Sequence, residues 1–596
     1  MISSPTTDAA GPARLGAGIR NRRLDRFPGP GARARYLAIT IAATVVLYYQ
    51  LYTQGTVATK IIADFGMSLT YFIGIQIVGG AIGAIGSLAG GLADRWGRAD
   101  LVVYGLAVVS ALMALMSVAV DTATAFLVVF ALISAVEGVI LVATPALIRD
   151  FSPQMGRATA MGFWTLGPVL GSLLATSIAS QTLDAHPSWQ FQFTIAGLVG
   201  TLVFVAAFLG LRELAPALRD QVMVSLRDQA LLEARARSIN PELVLRGHWR
   251  QMLRLRIVVP AVAISSYLLF YYLAVGFFVL FCVTTFGYTE ARANSLANWY
   301  WIANAVTLTA FGVLSDRVRV RKPFMVAGGV ISAIGVGWFA LATLDADTSY
   351  RRFAVIILVI AIGSGMTFAT WMAAFTETVE AHNPAATATG LAVWGVSVRV
   401  TVATAFTALI FLIPAADVLS GPGHHVQELA ERYHAELATL ERISPATKIN
   451  LSERPDDPEV KIAALAQISA VPAAEVIRVL TLQRATDPAA LSATDREFLT
   501  DTGPQVSAAV DALRATKAVP AEDLAYLRAH GEEVRQAKDS SPGQWSRLWW
   551  LCCLAQLLFI PSVWLLTGRW SPAAARTDAA RHAAAVDAEL RVTAAP

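Results

Sequence analysis

The sequence predicts an all-α membrane protein, with twelve transmembrane helices in two pseudo-symmetric six-helix bundles and a helical extracytoplasmic insertion before the last helix. Three observations lead there. Hydrophobic residues make up 55% of the 596 and charged residues only 15%, against about 25% charged in soluble domains. The apolar residues gather into runs of roughly 18 or more, the length that crosses a bilayer core as a helix. The two halves of the chain also repeat short polar signatures at matching places.

The runs place spans at roughly 36–55, 70–92, 100–120, 124–149, 158–180, 192–212, 257–285, 293–314, 323–343, 353–378, 386–414 and 546–567, with boundaries good to a few residues. The seventh run is long enough to tilt or to overshoot the bilayer. Ahead of them, residues 1–35 form a polar, then basic, N-terminus carrying Arg14, Arg20, Arg22, Arg23, Arg26, Arg33 and Arg35. No small-residue cleavage site follows an apolar stretch there, so no removable signal peptide is expected.

Orientation follows from cations in short loops. Connections after even-numbered spans are basic: Arg95 and Arg98, then Arg149 and Arg157, then Arg317, Arg319, Arg321 and Lys322. Those after odd-numbered spans carry few cations. Both termini are therefore expected in the cytoplasm, in a plasma (inner) membrane protein. The expected organisation is an N-terminal bundle at 36–212, a basic cytoplasmic linker at 213–256, helices seven to eleven at 257–414, the insertion at 415–543, helix twelve at 544–567 and a cytoplasmic tail at 568–596. The insertion holds 20 Asp/Glu and 13 Lys/Arg, a net of −7, which leaves +11 on the rest. Its stretches Val426–Arg442, Ala473–Arg484 and Ala521–Lys538 have helical apolar spacing. Pro445, Pro455, Pro472, Pro488, Pro504 and Pro520 punctuate it. The adjacent His424 and His425 read as solvated loop residues. Cys282, Cys552 and Cys553 lie in apolar runs, so neither a disulfide framework nor a thiolate metal site is expected.

The repeat is explicit. Gly90-Gly-Leu-Ala-Asp94-Arg95-Trp-Gly97-Arg98 joins spans two and three, and Gly312-Val-Leu-Ser-Asp316-Arg317-Val-Arg319 joins spans eight and nine, 222 residues later. Ala158-Thr-Ala-Met-Gly162 and Ala386-Thr-Ala-Thr-Gly390 open spans five and eleven, 228 residues apart. Two similar offsets imply a duplicated six-helix unit.

Those residues resemble the major facilitator superfamily, whose signature is a Gly, then Asp-Arg, then Gly-Arg between spans two and three, with a degenerate copy between eight and nine. The resemblance covers the membrane part, about 430 residues, but not the insertion. Thr56–Ser68 after span one looks like the equivalent stretch of drug/proton antiporters. So does Gly162-Phe-Trp-Thr-Leu-Gly167-Pro168-Val-Leu-Gly171 in span five, with its first glycine displaced by one. Many proton-coupled members carry an Arg three residues before a Gln-Gly pair in span four. Here Ser134 and Glu137-Gly138 stand there.

The resemblance implies a secondary active transporter moving a small organic solute by alternating access, coupled to protons. It implies that Asp94 sits against the N-terminal end of span eleven and that Arg98 pairs with Asp150, together closing the cytoplasmic side. It also places spans one, four, seven and ten around the cavity; Gln50, Tyr52, Tyr271 and Trp371 on those spans, with Asn298 on span eight, are candidate cavity residues. Read from the residues themselves, Gly79, Gly83, Gly86 and Gly90 give span two a small face for close packing. Pro168 removes a backbone hydrogen bond and can kink span five, while Gly167 and Gly171 allow close approach. Glu137 and Arg399 lie about a dozen residues from either helix end, or roughly 20 Å, too far to snorkel. Each needs a wet cavity, a partner or, for Glu137, a proton. A fixed Glu137–Arg399 pair is the alternative.

No Walker-type phosphate loop, zinc-ligand spacing or nucleophile elbow appears, so no enzyme activity, cofactor, metal or nucleic-acid partner is expected. The expected partners are the lipid bilayer, a small-molecule substrate and protons, with an envelope protein as a candidate partner of the 415–543 segment. The competing reading is a non-transporting sensor or assembly scaffold that works through that insertion.

Overall fold

The computed structural model describes residues 22–88, 97–152, 165–218, 231, 234–236, 249–383, 387–484 and 491–594. Gly90, Asp94, Arg95 and Gly162 lie outside the described residues, as do the first copy of the span-five repeat, Ala386 and most of the 213–256 linker.

Each predicted apolar run is a helix. Spans one to six are Pro30–Thr56, Leu69–Leu88, Arg98–Ala119, Ala123–Phe151, Gly167–Thr182 (as far as it is described) and Trp189–Gly210. Spans eight to eleven are Glu290–Val318, Lys322–Ala342, Tyr350–His382 and Thr387–Leu412. Span seven departs from a single tilted helix: a turn at Leu268 divides it into Leu255–Tyr267 and Leu269–Phe286. Span twelve is the C-terminal part of one long helix, Ala521–Ser562, where the sequence suggested a separate start near residue 546. Ten described helices are long and apolar enough to cross a membrane. The described part of span five is too short for that test, and span eight carries more polar residues.

Start signals are conventional. Thr122, Ser188, Thr289 and Ser349 cap spans four, six, eight and ten by accepting a backbone N–H in the first turn, which satisfies a donor the helix itself leaves open.

The packing repeats between halves. Span two packs on four, three on four and one on five; the counterparts eight on ten, nine on ten and seven on eleven pack likewise. Small residues make the closest seams. A Cβ on Gly83 would lie 3.0 Å from the Ser134 carbonyl, and one on Gly138 would run into the Gly83 carbonyl. In the second half, a Cβ on Gly363 would press on Gly328 and Ser332 of span nine. Between membrane helices there is no hydrophobic gain to collect, so close backbone approach and dispersion set the association.

Residues 421–539 form a second compact unit. Its helices are Pro422–Arg432, His434–Glu441, Pro445–Glu453, Pro458–Ser469, Ala473–Gln483 and Ala493–Ala515. They enclose a small core of Ile443, Leu465, Ile468, Val476, Val479 and Val506. The stretch 426–442 breaks at Tyr433 instead of running as one helix. Pro504 lies inside the helix Ala493–Ala515 and does not punctuate it, a correction to the sequence reading.

Candidate functional site

The ends of the membrane unit are distinguished by charge: the end bearing the connections after even-numbered spans is rich in arginine. There Arg98, only 7% exposed, donates from Nη1 to both carboxylate oxygens of Asp150 at 2.8 and 2.6 Å. The start of span three is thus tied to the end of span four. Gly97 precedes it at φ +104°, a conformation side chains rarely adopt, and a Cβ there would lie 2.6 Å from Glu213 Oε1. Both the backbone and the space demand glycine.

Glu213 is one residue that sequence reasoning missed. It follows span six, is buried, and its Oε2 accepts the backbone N–H groups of Arg98 at 2.6 Å and Ala99 at 3.3 Å. A carboxylate at a helix N-terminus satisfies open donors and meets the positive end of the dipole. Burial nevertheless pushes the Glu213 carboxyl above its ordinary range, opposed by those two N–H groups. The N-terminal arm completes the cluster: strand β1 (Arg23–Leu24) pairs in parallel with β2 (Glu213–Leu214). Arg22 is buried against Asp100 at 2.7 Å and lies over the rings of Tyr104 and Phe208.

The second signature copy is looser. A Cβ on Gly312 would meet nothing within 4 Å, and Asp316 and Arg317 are exposed. Arg321, at the mouth of span nine, bonds Asp316 at 2.6 Å and Glu377 of span ten at 3.1 Å. It is the counterpart of Arg98 holding Asp150.

Span five lies on span one without room for side chains. A Cβ on Gly167 would sit 2.7 Å from Thr44 Cγ2, and one on Gly171 2.5 Å from Tyr48 Cβ. Pro168 falls in the first turn of the described helix Gly167–Thr182.

Midway along the spans stand the two deep charges. Glu137 is 2% exposed, and neither of its oxygens has a hydrogen-bond partner among the described residues. Arg399 is exposed, with one long contact to the Gly395 carbonyl at 3.5 Å. No ion pair joins them among the described residues, so the fixed-pair alternative does not describe this conformation. Aromatic rings cluster on spans one, seven and eight: Tyr48 is 5.5 Å from Tyr52, and Tyr271 is 5.1 Å from Tyr272 and 5.4 Å from Trp301. Tyr52 and Trp301 also line a small void with Thr56, Ser172, Thr176 and Phe278.

Three further candidate cavity residues make packing or hydrogen-bond contacts. Gln50 is a clamp inside the first bundle, donating to the Ala196 carbonyl at 3.2 Å and towards Ser110 at 3.4 Å. Trp371 is fully buried, stacked on Phe375 at 4.7 Å and packed against Trp394. Asn298 accepts from Thr176 at 2.6 Å and Ser177 at 3.2 Å, and donates to Ser180.

That asparagine belongs to a second feature, a set of bonds between the halves at the end opposite the arginines. Thr59 donates to Glu290 at 2.9 Å and Lys60 pairs with it at 3.5 Å. Asn294 donates to the Thr56 carbonyl at 2.9 Å, and Asp417 accepts the Leu69 N–H at 2.5 Å. A Cβ on Gly55 would run into the Val275 carbonyl. These bonds between the halves all lie at this end.

This geometry agrees with what comparison finds. The profile of the Major Facilitator Superfamily matches residues 40–400, more than half the chain. The chain belongs to that superfamily. It is a multi-pass membrane transporter and not an enzyme. Crystal structures of a bacterial homolog of the human lysosomal transporter Spinster, inward-facing and either unoccupied or occupied, share the fold of this transporter. Each has a TM-score of 0.51 at 15% identity, over 91% of this chain and 100% of that one. The efflux pump radE of Floropilus chiversii is 25% identical over 162 residues, which span 29% of that protein and 26% of this chain.

Proposed function

We propose that this transporter is a proton-coupled secondary carrier of a small organic solute, and that Glu137 carries the proton. The observation behind this is the carboxylate itself: buried at mid-span and unpartnered among the described residues. A bare carboxylate at that depth costs at least about 2.5–3.5 kcal/mol. Protonation removes the cost, and release to whichever side is open makes the group a carrier.

The arginine-rich end is read as cytoplasmic, by the cation bias of its loops, in the plasma membrane and with both termini inside. Bonds between the halves at the opposite end then make the conformation inward-facing. The Arg98–Asp150–Glu213 cluster is read as the rigid cytoplasmic frame on which Asp94 would act. The unit at 421–539 is read as extracytoplasmic.

The test is transport by the purified full-length protein in proteoliposomes. The solute would be chosen by comparing metabolites of wild-type and deletion cells. Addition of that solute is expected to move protons across the membrane, and deletion of 421–539 to leave that movement in place. Solute movement without protons would overturn the coupling, and no movement of either would favour a scaffold.

A further inference from the structure

Span two begins with one cap of its own and one borrowed. Ser68 Oγ accepts the Tyr71 N–H at 3.1 Å, one of the first-turn donors that a helix leaves open. The N–H of Leu69, the buried first residue of the span, goes instead to Asp417 at 2.5 Å. Asp417 comes from the other half of the transporter, on the short helix Pro414–Ser420 that follows span eleven. That helix is fixed to its own half. The Ala415 N–H donates to Gln544 Oε1 at 3.0 Å, on the helix that becomes span twelve. Ser541 of that helix shares a 3.1 Å hydrogen bond with Thr285 at the end of span seven. Ala416 and Ser541 are fully buried. Across the seam, the short helix packs on span two and on Ala58–Asp64, and spans two and eleven pack on each other.

The Thr59, Lys60 and Glu290 side chains at this end can each turn to water when the halves part. A first-turn amide cannot turn, because the helix sets its direction, so its acceptor has to be brought to it. We propose that Asp417 is a latch of this gate. Its carboxylate completes the cap of span two only while the halves are together at this end, and the cap is undone each time the end opens. A carboxylate suits the place twice over, as an acceptor for the open N–H and as a negative charge at the positive end of the helix dipole. The latch biases the carrier towards the state closed at this end. A solute that opens it must favour the open state by at least what the cap supplies.

Electron–electron distances between spin labels on cysteines placed at Asp121 and Asp347 test this. Both positions lie on exposed connections of the two halves at this end, and the native cysteines are buried. The sample is the detergent-purified full-length protein. Asp417→Ala removes the acceptor, and Leu69→Pro removes the donor at a first-turn position that accommodates proline. Each should move the ratio of long to short distances about fivefold towards long, the usual effect of losing a cap. Asp417→Asn keeps a capping oxygen and should move it about twofold at most. Asp417→Ala and Leu69→Pro together should move it no further than either alone, because both break one bond. Size exclusion checks the fold of each variant; if one single variant misfolds, the other decides. Wild-type distributions in the folded single variants would overturn the latch, and so would additive shifts in the double variant. No gradient or solute enters the measurement, so its outcome is independent of whether Glu137 carries protons.

Discussion

At the scale of single residues, burial decides which charges matter. Arg98–Asp150 is a buried pair, with side chains 8% and 5% exposed, whereas Arg352–Asp345 is 44% and 46% exposed. Removing one partner of a buried pair strands the other and costs about 3–5 kcal/mol. An exposed pair is worth about 0–1 kcal/mol. Asp150→Asn should therefore lower the thermal midpoint of the detergent-purified protein clearly, and Asp345→Asn hardly at all. Equal midpoints would remove Arg98–Asp150 from the frame. This pair was legible in the sequence because the signature names Arg98 and the span boundary exposes Asp150. Glu213 was not, because it reaches Arg98 from 115 residues away and no local pattern marks it. Arg321 and Glu377 could have been found: the repeat offsets of 222 and 228, applied to Arg98 and Asp150, each land within one residue of them. Deep charges were visible as breaks in apolar runs, but whether they pair depends on helix rotation, which composition does not fix. Gln50 and Asn298 show the same limit. An amide on a membrane span serves packing as readily as binding.

At the scale of helices, glycine seams set how closely spans approach and where they can part. The span-two face of Gly79, Gly83 and Gly86 was readable from spacing, and it packs on span four. Gly55 was not singled out, because its partner, the Val275 carbonyl, comes from the other half. This contact is the tightest of those closing the end away from the arginines, and a large side chain there cannot be accommodated without parting spans one and seven. Gly55→Leu should therefore open that end. Spin labels at Ser68 and Asp347, on exposed connections of the two halves, report it by electron–electron distance measurement, since the three native cysteines are buried. The distance distribution should shift to longer values than in the Gly55 protein; an unchanged distribution would mean that the seam does not hold the gate. The turn at Leu268 and the fusion of residues 521–562 into one helix escaped the sequence reading. Each depends on backbone continuity across a polar or proline-bearing stretch, Pro542 included, that tertiary packing decides.

At the scale of the whole molecule, duplication and charge bias made the fold legible, and twelve helices in two matching bundles follow from them. The sidedness of the 421–539 unit is a separate claim resting on loop cations and on its acidic balance. A membrane-impermeant thiol reagent applied to intact cells should label a cysteine placed at Ile449, which is 57% exposed. It should not label one at Thr577 in the tail until the cells are broken. Labelling in the opposite order would invert the topology and, with it, the reading of the arginine-rich end as cytoplasmic.

The central claim is that the buried Glu137 carboxylate couples protons to solute movement, and one comparison addresses it most directly. Proteoliposomes holding wild-type or Glu137→Gln protein are loaded for two assays with the same solute: accumulation driven by a pH gradient, and one-for-one exchange without a gradient. Exchange needs no proton release, and a glutamine preserves the shape of the side chain without a titrating group. The account predicts that Glu137→Gln loses gradient-driven accumulation and keeps exchange close to the wild-type rate. Full accumulation in the variant would contradict it, and loss of both activities with normal folding would assign Glu137 to solute binding instead.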